Sequence, residues 1–478
     1  MVFSSTVFLF LFLPVVLAAY HFARPELRNG VLLLASLAFY AWGEPLQFPV
    51  VLGSICVNYV FGLLVQRYRE TKPRHAKLLV ALAVALNLGM LTRYKYTAFL
   101  LEGANALLSA LHAGFGPLEV KAISLPLGVS FFTFHSLSYV IDVYRGHCPA
   151  QRRLPRLGLY VLLFPQLVAG PIVRYHEVAD QLAERRVRWD DFSYGVSRFV
   201  LGLGKKVLLA NTLAEVADAV FRLPPGDLDL KVSWLGASAY ALQIYFDFSG
   251  YSDMAIGLAR MFGFRFPENF AYPYVAQSMT EFWRRWHMSL SRFFRDYLYI
   301  PLGGNRVGPT RLHFNLFTVF LLCGLWHGAS WNFVLWGALH GAFLVLERGG
   351  AGRLLQLAPS PVRHVYCLLV VLLTWVFFRA ATLPEAIGFL RAMIGRGHGG
   401  GVVRASDFLD HQRTLAFAVA LVAMTPVLPR LQSWLRNAPL PLHATASLAR
   451  VGIPVVVFVV CVMRLSSGTY NPFIYFRF

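Results

Sequence analysis

Long apolar stretches, separated by short polar loops, follow one another along the whole chain. They predict membrane helices, because a helix satisfies its own backbone hydrogen bonds where no water is available. About 20 apolar residues are needed to cross the roughly 30 Å hydrocarbon core. We expect the shorter stretches to be re-entrant, buried or extended by flanking residues, and we predict about ten to twelve true crossings. The candidate stretches are Val2–Tyr20, Val31–Trp42, Leu46–Val65, Leu78–Leu91, Phe99–Leu111, Leu125–Ile141, Leu157–Val173, Phe199–Phe221, Val232–Phe262, His313–Phe333, Leu335–Leu346, Val365–Phe378, Thr414–Leu428 and Val451–Met463.

Composition supports this class of protein. The 478 residues are 57% hydrophobic and only 14% charged, whereas soluble domains carry about 25% charged residues. We predict an all-α polytopic membrane protein that forms one unit, with N-terminal helices in 1–120, a core in 121–350 and C-terminal helices in 351–478. The run Val7–Ala19 lacks the basic flank and cleavage site of a signal peptide, so we expect a retained first helix. Arg396–Gln412 is glycine-rich and is predicted to be an exposed linker.

The net charge of +20 comes from Lys and Arg residues that are scattered over the loops. Nucleic-acid binding normally uses a concentrated basic face, so we expect no nucleic-acid partner. Positive-inside sorting and contact with anionic lipid head groups explain the distribution better. They put the basic segments 24–28 and 67–77 in the cytoplasm and the N-terminus outside. The five cysteines show no metal-like spacing, so we expect packing roles for them and no metal site.

The segment Leu312–Leu346 contains no Asp, Glu, Lys or Arg, yet it holds the motif Trp326-His327-Gly328. A titratable imidazole at membrane depth is a functional-site hypothesis, although a neutral histidine can simply hydrogen-bond a neighbouring helix. Acyl transfer needs a base that titrates near neutrality and a site that excludes water, and such a histidine meets both needs. Asn332 and Trp336, like Trp326, are candidate walls of a reaction chamber, with helix packing as the alternative.

A second candidate lies in Thr280–Leu312, where Trp and Phe recur at helical spacing with Arg residues between them. The pattern predicts an amphipathic helix at the membrane interface, and such a helix is usually only an anchor. Its histidine raises the odds of a functional role, and the alternative is an interfacial residue bonded to a helix end. The candidate site residues here are Trp286, His287, Arg295, Asp296, Tyr297 and Asn305.

Two carboxylates, Asp247 and Asp253, fall inside the apolar stretch Val232–Phe262. Buried charges normally persist only when they are paired. We therefore expect them to neutralise basic groups or to cap a helix broken around Gly250. Two Gly-x-x-x-Gly spacings in Leu312–Leu346 indicate close helix packing.

Together these motifs resemble the membrane-bound O-acyltransferase family. The likeness is greatest to its bacterial members that serve the O-acetylation of alginate, and it extends over nearly the whole chain. The stretches that carry it are the opening Met1–Ser5 with its Phe-Leu-Phe-Leu-Pro run, Pro126–Phe134, Tyr139–Arg145, the block Gln243–Arg306, Gly324–Gly328 and the closing Asn471–Phe478.

The resemblance implies a ring of transmembrane helices, with re-entrant and interfacial ones, around a central tunnel open to both membrane faces. It implies that His327 is the catalytic residue and that His287 lines the same chamber. It also implies acetyl-CoA as the cytoplasmic donor, no permanently bound cofactor and a bacterial inner-membrane location. A periplasmic acetyltransferase partner would complete transfer to an exported polysaccharide.

Three alternatives stay open. The same motifs resemble family members that acylate peptidoglycan, cellulose or teichoic acid, so the acceptor is the least determined part of the hypothesis. A secondary transporter would show internal repeats and paired broken helices with charges at mid-membrane, and no repeat is found in the sequence. The third alternative is a scaffold subunit whose histidines are structural.

Overall fold

The computed structural model describes residues 2–112, 117–120, 123–397, 403–436 and 440–468. Within these ranges the chain is helical and contains no strand, which confirms the all-α class. Two predicted features lie outside the described residues. They are Gly399–Gly401 of the linker and the closing stretch Asn471–Phe478.

Five helices form the N-terminal part of the chain. Two π-helical turns interrupt the series, Phe8–Phe12 before the first helix and Thr92–Tyr96 between the last two. Proline near the first position starts three of the helices, where its missing N–H costs no hydrogen bond. The helices are α1 (Leu13–Phe22), α2 (Arg28–Gly43), α3 (Phe48–Arg69), α4 (Pro73–Leu91) and α5 (Thr97–Ala110).

Two predicted spans of the middle region need correction. The stretch Leu125–Ile141 is not helical throughout, because α6 begins only at Val129, after Gly128 with a φ of 70°. The stretch Leu157–Val173 is broken into α7 and α8 and ends in extended chain around Gly170 and Pro171. The helices of this region are α6 (Val129–Arg145), α7 (Leu154–Leu162), α8 (Phe164–Leu167), α9 (Tyr175–Ala183), α10 (Trp189–Gly204), α11 (Asn211–Phe221) and α12 (Leu230–Met261).

The 32-residue helix α12 lies in the interior and packs most closely against α10. Glycine permits this contact, since a Cβ atom added to Gly202 would lie 2.6 Å from the carbonyl oxygen of Gly250. Ion pairs also join α12 to the two lysines that directly follow α10. The carboxylate of Asp247 lies 2.6 Å from Lys206 Nζ, and that of Asp253 lies 2.6 Å from Lys205 Nζ. The predicted pairing of the two carboxylates is confirmed, and the helix is continuous through Gly250.

The segment predicted to be one amphipathic interfacial helix forms two short helices, α13 (Met279–Arg285) and α14 (Met288–Phe294), separated by Trp286 and His287. The side chains of Trp283, Trp286 and Phe293 are buried in the core, so they do not anchor the segment in lipid, and its placement at the membrane interface stays a prediction. The aromatic positions recur at helical spacing because they pack inside the protein.

Helices α15 (Pro309–His327) and α16 (Trp331–Leu346) follow and pack tightly together. A Cβ atom added to Gly324 would lie 2.3 Å from the carbonyl oxygen of Phe333. The predicted packing role of this glycine is therefore confirmed. The remaining helices are α17 (Gly352–Leu357), α18 (Ser360–Arg379), α19 (Leu383–Met393), α20 (His411–Ala423), α21 (Val427–Arg436) and α22 (Leu440–Ser466).

Within the described residues, three helical segments are long and apolar enough to cross a membrane by themselves: Phe48–Arg69, Pro73–Ala110 and Ser360–Arg379. Phe8–Phe22 is a shorter apolar helix. Helix α12 is long but carries the paired carboxylates. The ten to twelve crossings, their arrangement as a ring and the division at residues 120 and 350 therefore stay predictions.

Candidate active site

His327 is the last residue of α15. Its side chain is 7% exposed, and aromatic rings surround it: the ring centroids of Trp326, Trp336 and Phe378 lie 4.9, 5.1 and 5.0 Å away. Among the described residues, none hydrogen-bonds a ring nitrogen of His327. An imidazole held by apolar contacts alone keeps both nitrogens available for a bound group.

His327 is one of the residues that line a cavity of about 240 Å³. Trp326, Glu44 and Lys95 share its lining with the start of α6. Trp326 was predicted from sequence to line such a chamber, whereas Glu44 and Lys95 were missed, because both lie far from His327 along the chain. We name this space the α6 N-terminal cavity.

His287 lies at the break between α13 and α14, with a φ of 42° and no exposed surface. Its Nδ1 lies 3.1 Å from Oδ1 of Asn269, while its Nε2 has no hydrogen-bond partner among the described residues. The alternative of a histidine bonded to a helix end is therefore not supported, because Asn269 lies in a loop. The His287 ring lies 6.1 Å from that of Trp326, which also contacts His327.

A second cavity, of about 750 Å³, lies at the other end of α6. We name it the α6 C-terminal cavity. The 17 residues of α6 make a helix about 25 Å long at 1.5 Å per residue, so the two cavities are well separated. The lining residues include Asp142, Arg145, His147, Arg174, His176, Asp296 and Tyr297.

A column of aromatic rings joins the two cavities. Phe134, on α6, stacks on Phe293 with ring centroids 4.0 Å apart and on Trp326 at 5.4 Å. Phe131 contacts Trp326 on the side of the α6 N-terminal cavity, and Tyr297 contacts Phe293 on the side of the other cavity. Aromatic rings thus lie between the two cavities, and the predicted open tunnel stays a prediction.

Asp296 and Tyr297 were predicted from sequence and line the α6 C-terminal cavity. Asp296 pairs with Arg174 and with Arg295, whose Nε lies 2.7 Å from its carboxylate. Burial works to raise the pKa of Asp296, but the hydrogen bonds and positive charges of the two arginines outweigh it and hold the pKa below its usual value.

A cluster that the sequence analysis missed lies in this cavity. The buried Asp142 carboxylate accepts a hydrogen bond from the Tyr297 hydroxyl at 2.7 Å and contacts Nδ1 of His176 at 2.7 Å. Nδ1 of His147 lies 3.6 Å away from it. Asp142, His147 and His176 could hold a metal ion, since their ligand atoms lie within 4.8 Å of one another. The contact between Asp142 and His176, however, has the length of a hydrogen bond. Two ligand atoms of a tetrahedral zinc site are about 3.3 Å apart, so this pair fits a hydrogen bond better than a zinc site.

The remaining predicted site residues lie away from the cavities. Asn332 donates a hydrogen bond to the carbonyl oxygen of Ala380 at 2.8 Å, which supports its structural alternative. Asn305 is exposed and accepts hydrogen bonds from Tyr299 and Arg348. Trp286 is buried against Phe282 and Trp375. Arg295 reaches the α6 C-terminal cavity only through Asp296.

His340 is a further buried histidine that the sequence analysis did not select. Its Nδ1 accepts a hydrogen bond from the indole N–H of Trp283 at 3.2 Å, and its ring lies 4.6 Å from that of Trp336. It follows Trp336 by one helical turn, a spacing that could have drawn attention to it.

Comparison with known proteins places these features in a class. Residues 152–383 match the model of the membrane-bound O-acyltransferase family. The chain is 43% identical to a probable alginate O-acetylase of Pseudomonas putida and 40% identical to one of Azotobacter vinelandii, each covering 100% of both chains. It is 36% identical to a peptidoglycan O-acetyltransferase of Helicobacter pylori, covering 83% of this chain and 80% of that one.

A helical membrane protein with a buried histidine beside a cavity fits an acyl-transfer enzyme. The chain belongs to the membrane-bound O-acyltransferase family. It is therefore an O-acyltransferase and not one of the secondary transporters considered above.

Proposed function

We propose that this protein passes an acetyl group from cytoplasmic acetyl-CoA across the bacterial inner membrane for the O-acetylation of an exported, alginate-like polysaccharide. The observation that carries the proposal is the pair of cavities at opposite ends of α6, with His327 at one of them. Full-length similarity to probable alginate O-acetylases supports the choice of polymer. A periplasmic partner would complete the transfer.

The orientation follows from charge. Arg69 of the basic segment 67–77 donates a hydrogen bond to the carbonyl oxygen of Val143, near the end of α6. Positive-inside sorting puts that segment in the cytoplasm, so the α6 C-terminal cavity would face the donor. Arg145 and Arg174 in its lining suit the phosphate groups of CoA, since arginine binds phosphate through paired N–H donors.

His327 would act as the general base. It takes the proton of the acceptor hydroxyl as the oxygen forms a bond to the thioester carbonyl carbon, and the carbon–sulfur bond then breaks. The departing CoA thiolate receives the proton from the His327 imidazolium, so no other reactant is needed. The surrounding aromatic rings exclude bulk water, which would otherwise hydrolyse the thioester. His287 would assist from the far side of Trp326.

Replacing His327 tests the proposal. We expect His327→Ala to lower polymer acetylation in cells by about 10²- to 10⁴-fold, the usual contribution of a general base, while the protein still inserts in the membrane. CoA release from acetyl-CoA by the purified protein should fall in parallel. His75→Ala is the matched control, because His75 is exposed at the start of α4. Undiminished acetylation in His327→Ala would contradict the proposal.

The polymer that receives the acetyl group can be identified in the same cells, by comparing the acetylation of their polymers. Acetyl groups lost from exported alginate-like polymer support the proposal as stated. Loss from peptidoglycan instead would favour the alternative that the Helicobacter pylori relative suggests.

A further inference from the structure

Lys95 lies next to the proposed catalytic residue, although 232 positions separate them in sequence. Its ammonium donates hydrogen bonds to the carbonyl oxygens of Trp326 at 2.6 Å and His327 at 3.0 Å. The neighbouring Tyr96 hydroxyl donates to the carbonyl oxygen of Leu325 at 2.7 Å. Two successive side chains thus bind three successive carbonyl groups at the end of α15.

These carbonyl groups need partners. The last four carbonyl groups of an α-helix receive no hydrogen bond from within the helix. They are commonly satisfied by a glycine in the left-handed conformation after the helix end. Gly328 does not supply such a cap, because its φ and ψ are −163° and 153°, an extended conformation. The side chains of Lys95 and Tyr96 take over this task.

The local backbone is suited to the role. Lys95 and Tyr96 lie on the π-helical turn Thr92–Tyr96 between α4 and α5. Such turns are rare and often occur at functional sites. A positive charge at the C-terminal end of a helix also interacts favourably with its dipole, and α15 ends at this ammonium.

The ammonium also has unused capacity. Within the described parts of the chain, no carboxylate forms an ion pair with Lys95. An ammonium has three N–H donors, and two are used by the carbonyl groups. Lys95 and His327 line the same cavity.

We propose that Lys95 is a positioning residue, which fixes the end of α15 that carries His327 and so sets the place of the imidazole in the α6 N-terminal cavity. The inference rests on the proposed acyl transfer for its effect on rate, but its effect on α15 does not depend on that function.

The first test measures the helix end directly. Hydrogen–deuterium exchange of the backbone amides in 324–328 should become faster in Lys95→Met, because the last turn of α15 loses two of its hydrogen bonds. Tyr96→Phe should have a smaller effect of the same kind. Arg93→Met is the matched control, since Arg93 is exposed on the same π-helical turn. Unchanged exchange in Lys95→Met would overturn the inference whatever the protein's activity.

The second test measures the reaction. CoA release from acetyl-CoA should fall about 100-fold in kcat for Lys95→Met, the cost of misplacing a catalytic group by about 1 Å. The KM for acetyl-CoA should stay within about twofold of the wild-type value, because the change does not weaken binding of the donor itself. Lys95→Cys alkylated with bromoethylamine regains an ammonium at nearly the same place and should recover most of the activity.

Alkylated wild-type protein and alkylated Arg93→Cys control for reaction at the native cysteines. A folded Lys95→Cys variant that alkylation does not rescue would overturn the inference. Wild-type protein that releases no CoA would contradict the proposed function instead, and the exchange experiment would still decide the role of Lys95.

Discussion

Ionisable side chains are paired with opposite charges in one region of this molecule and lack such partners in another. Where α10, α11 and α12 meet, each buried carboxylate has a basic partner, as with Asp247 and Lys206, whose side chains are 2% and 3% exposed. Around His327, none of the described carboxylates forms an ion pair with Lys95, and none of the described residues hydrogen-bonds the His327 ring. Paired charges hold helices together, whereas the unpaired groups keep their bonding capacity for a substrate.

The largest effect that the comparison predicts belongs to the paired region. Lys206→Met leaves the Asp247 carboxylate buried without its cation, which costs about 3–5 kcal/mol. A denaturant titration of the purified protein should show this as a loss in the free energy of unfolding. The double variant Lys206→Met/Asp247→Asn should lose less than the sum of the two single changes. Strictly additive losses would mean that the pair does not stabilise the contact.

A smaller effect is expected at His287, and it should appear in activity more than in stability. His287→Asn suits the left-handed backbone at this position, because asparagine adopts it more readily than most residues. It removes the imidazole, and we expect turnover to fall about 100-fold, which corresponds to about 2.7 kcal/mol. Measuring CoA release and thermal unfolding on the same preparation separates the effect on activity from the effect on stability. A variant that loses stability but not turnover would assign His287 to the fold.

Gly324→Ala tests the close contact of α15 and α16 beneath the chamber. The new methyl group would meet the carbonyl oxygen of Phe333, and such overpacking costs about 1–3 kcal/mol. Gly103→Ala is the control, because nothing lies within 4 Å of a Cβ atom at that position on α5. The midpoint temperature of thermal unfolding should fall for Gly324→Ala and not for Gly103→Ala. Equal stability of the two variants would show that the helices can move apart freely.

The smallest effect is expected at Asn332. Asn332→Ala leaves the Ala380 carbonyl group without its donor, at a cost of about 1 kcal/mol. Thermal unfolding measures this cost, and CoA release should decline far less than in His287→Asn. If turnover fell as far as in His287→Asn, Asn332 would belong to the reaction chamber after all.

Local patterns predicted much of the molecule. The helical class follows from the spacing of apolar residues, the pairing of Asp247 and Asp253 from the cost of burying an unpaired charge, and the packing of Gly324 from the small size of glycine. His327 was singled out because a charge-free segment makes an imidazole conspicuous. In contrast, the single helix with a lipid-facing aromatic side over 280–312 was predicted wrongly, since aromatic residues at helical spacing look the same whether they face lipid or a protein core.

Contacts between distant segments could not be predicted in this way. Lys95 reaches His327 from another helix, and Asp142 meets His176 across 34 positions. Neither pair leaves a spacing that a single sequence reveals. The break at His287 was missed for a different reason, because a histidine in the left-handed region is uncommon and is held there by its buried surroundings, including Asn269.

The aromatic column between the two cavities bears on cellular energetics. A membrane at 100 mV drives each elementary charge with about 2.3 kcal/mol, so a continuous file of water through an enzyme would drain the proton gradient of the cell. Phe134 and Phe293, stacked 4.0 Å apart, leave no room between them for such a file. In the proposed orientation, with an aqueous compartment at each end of α6, this stack would help to keep the membrane electrically tight.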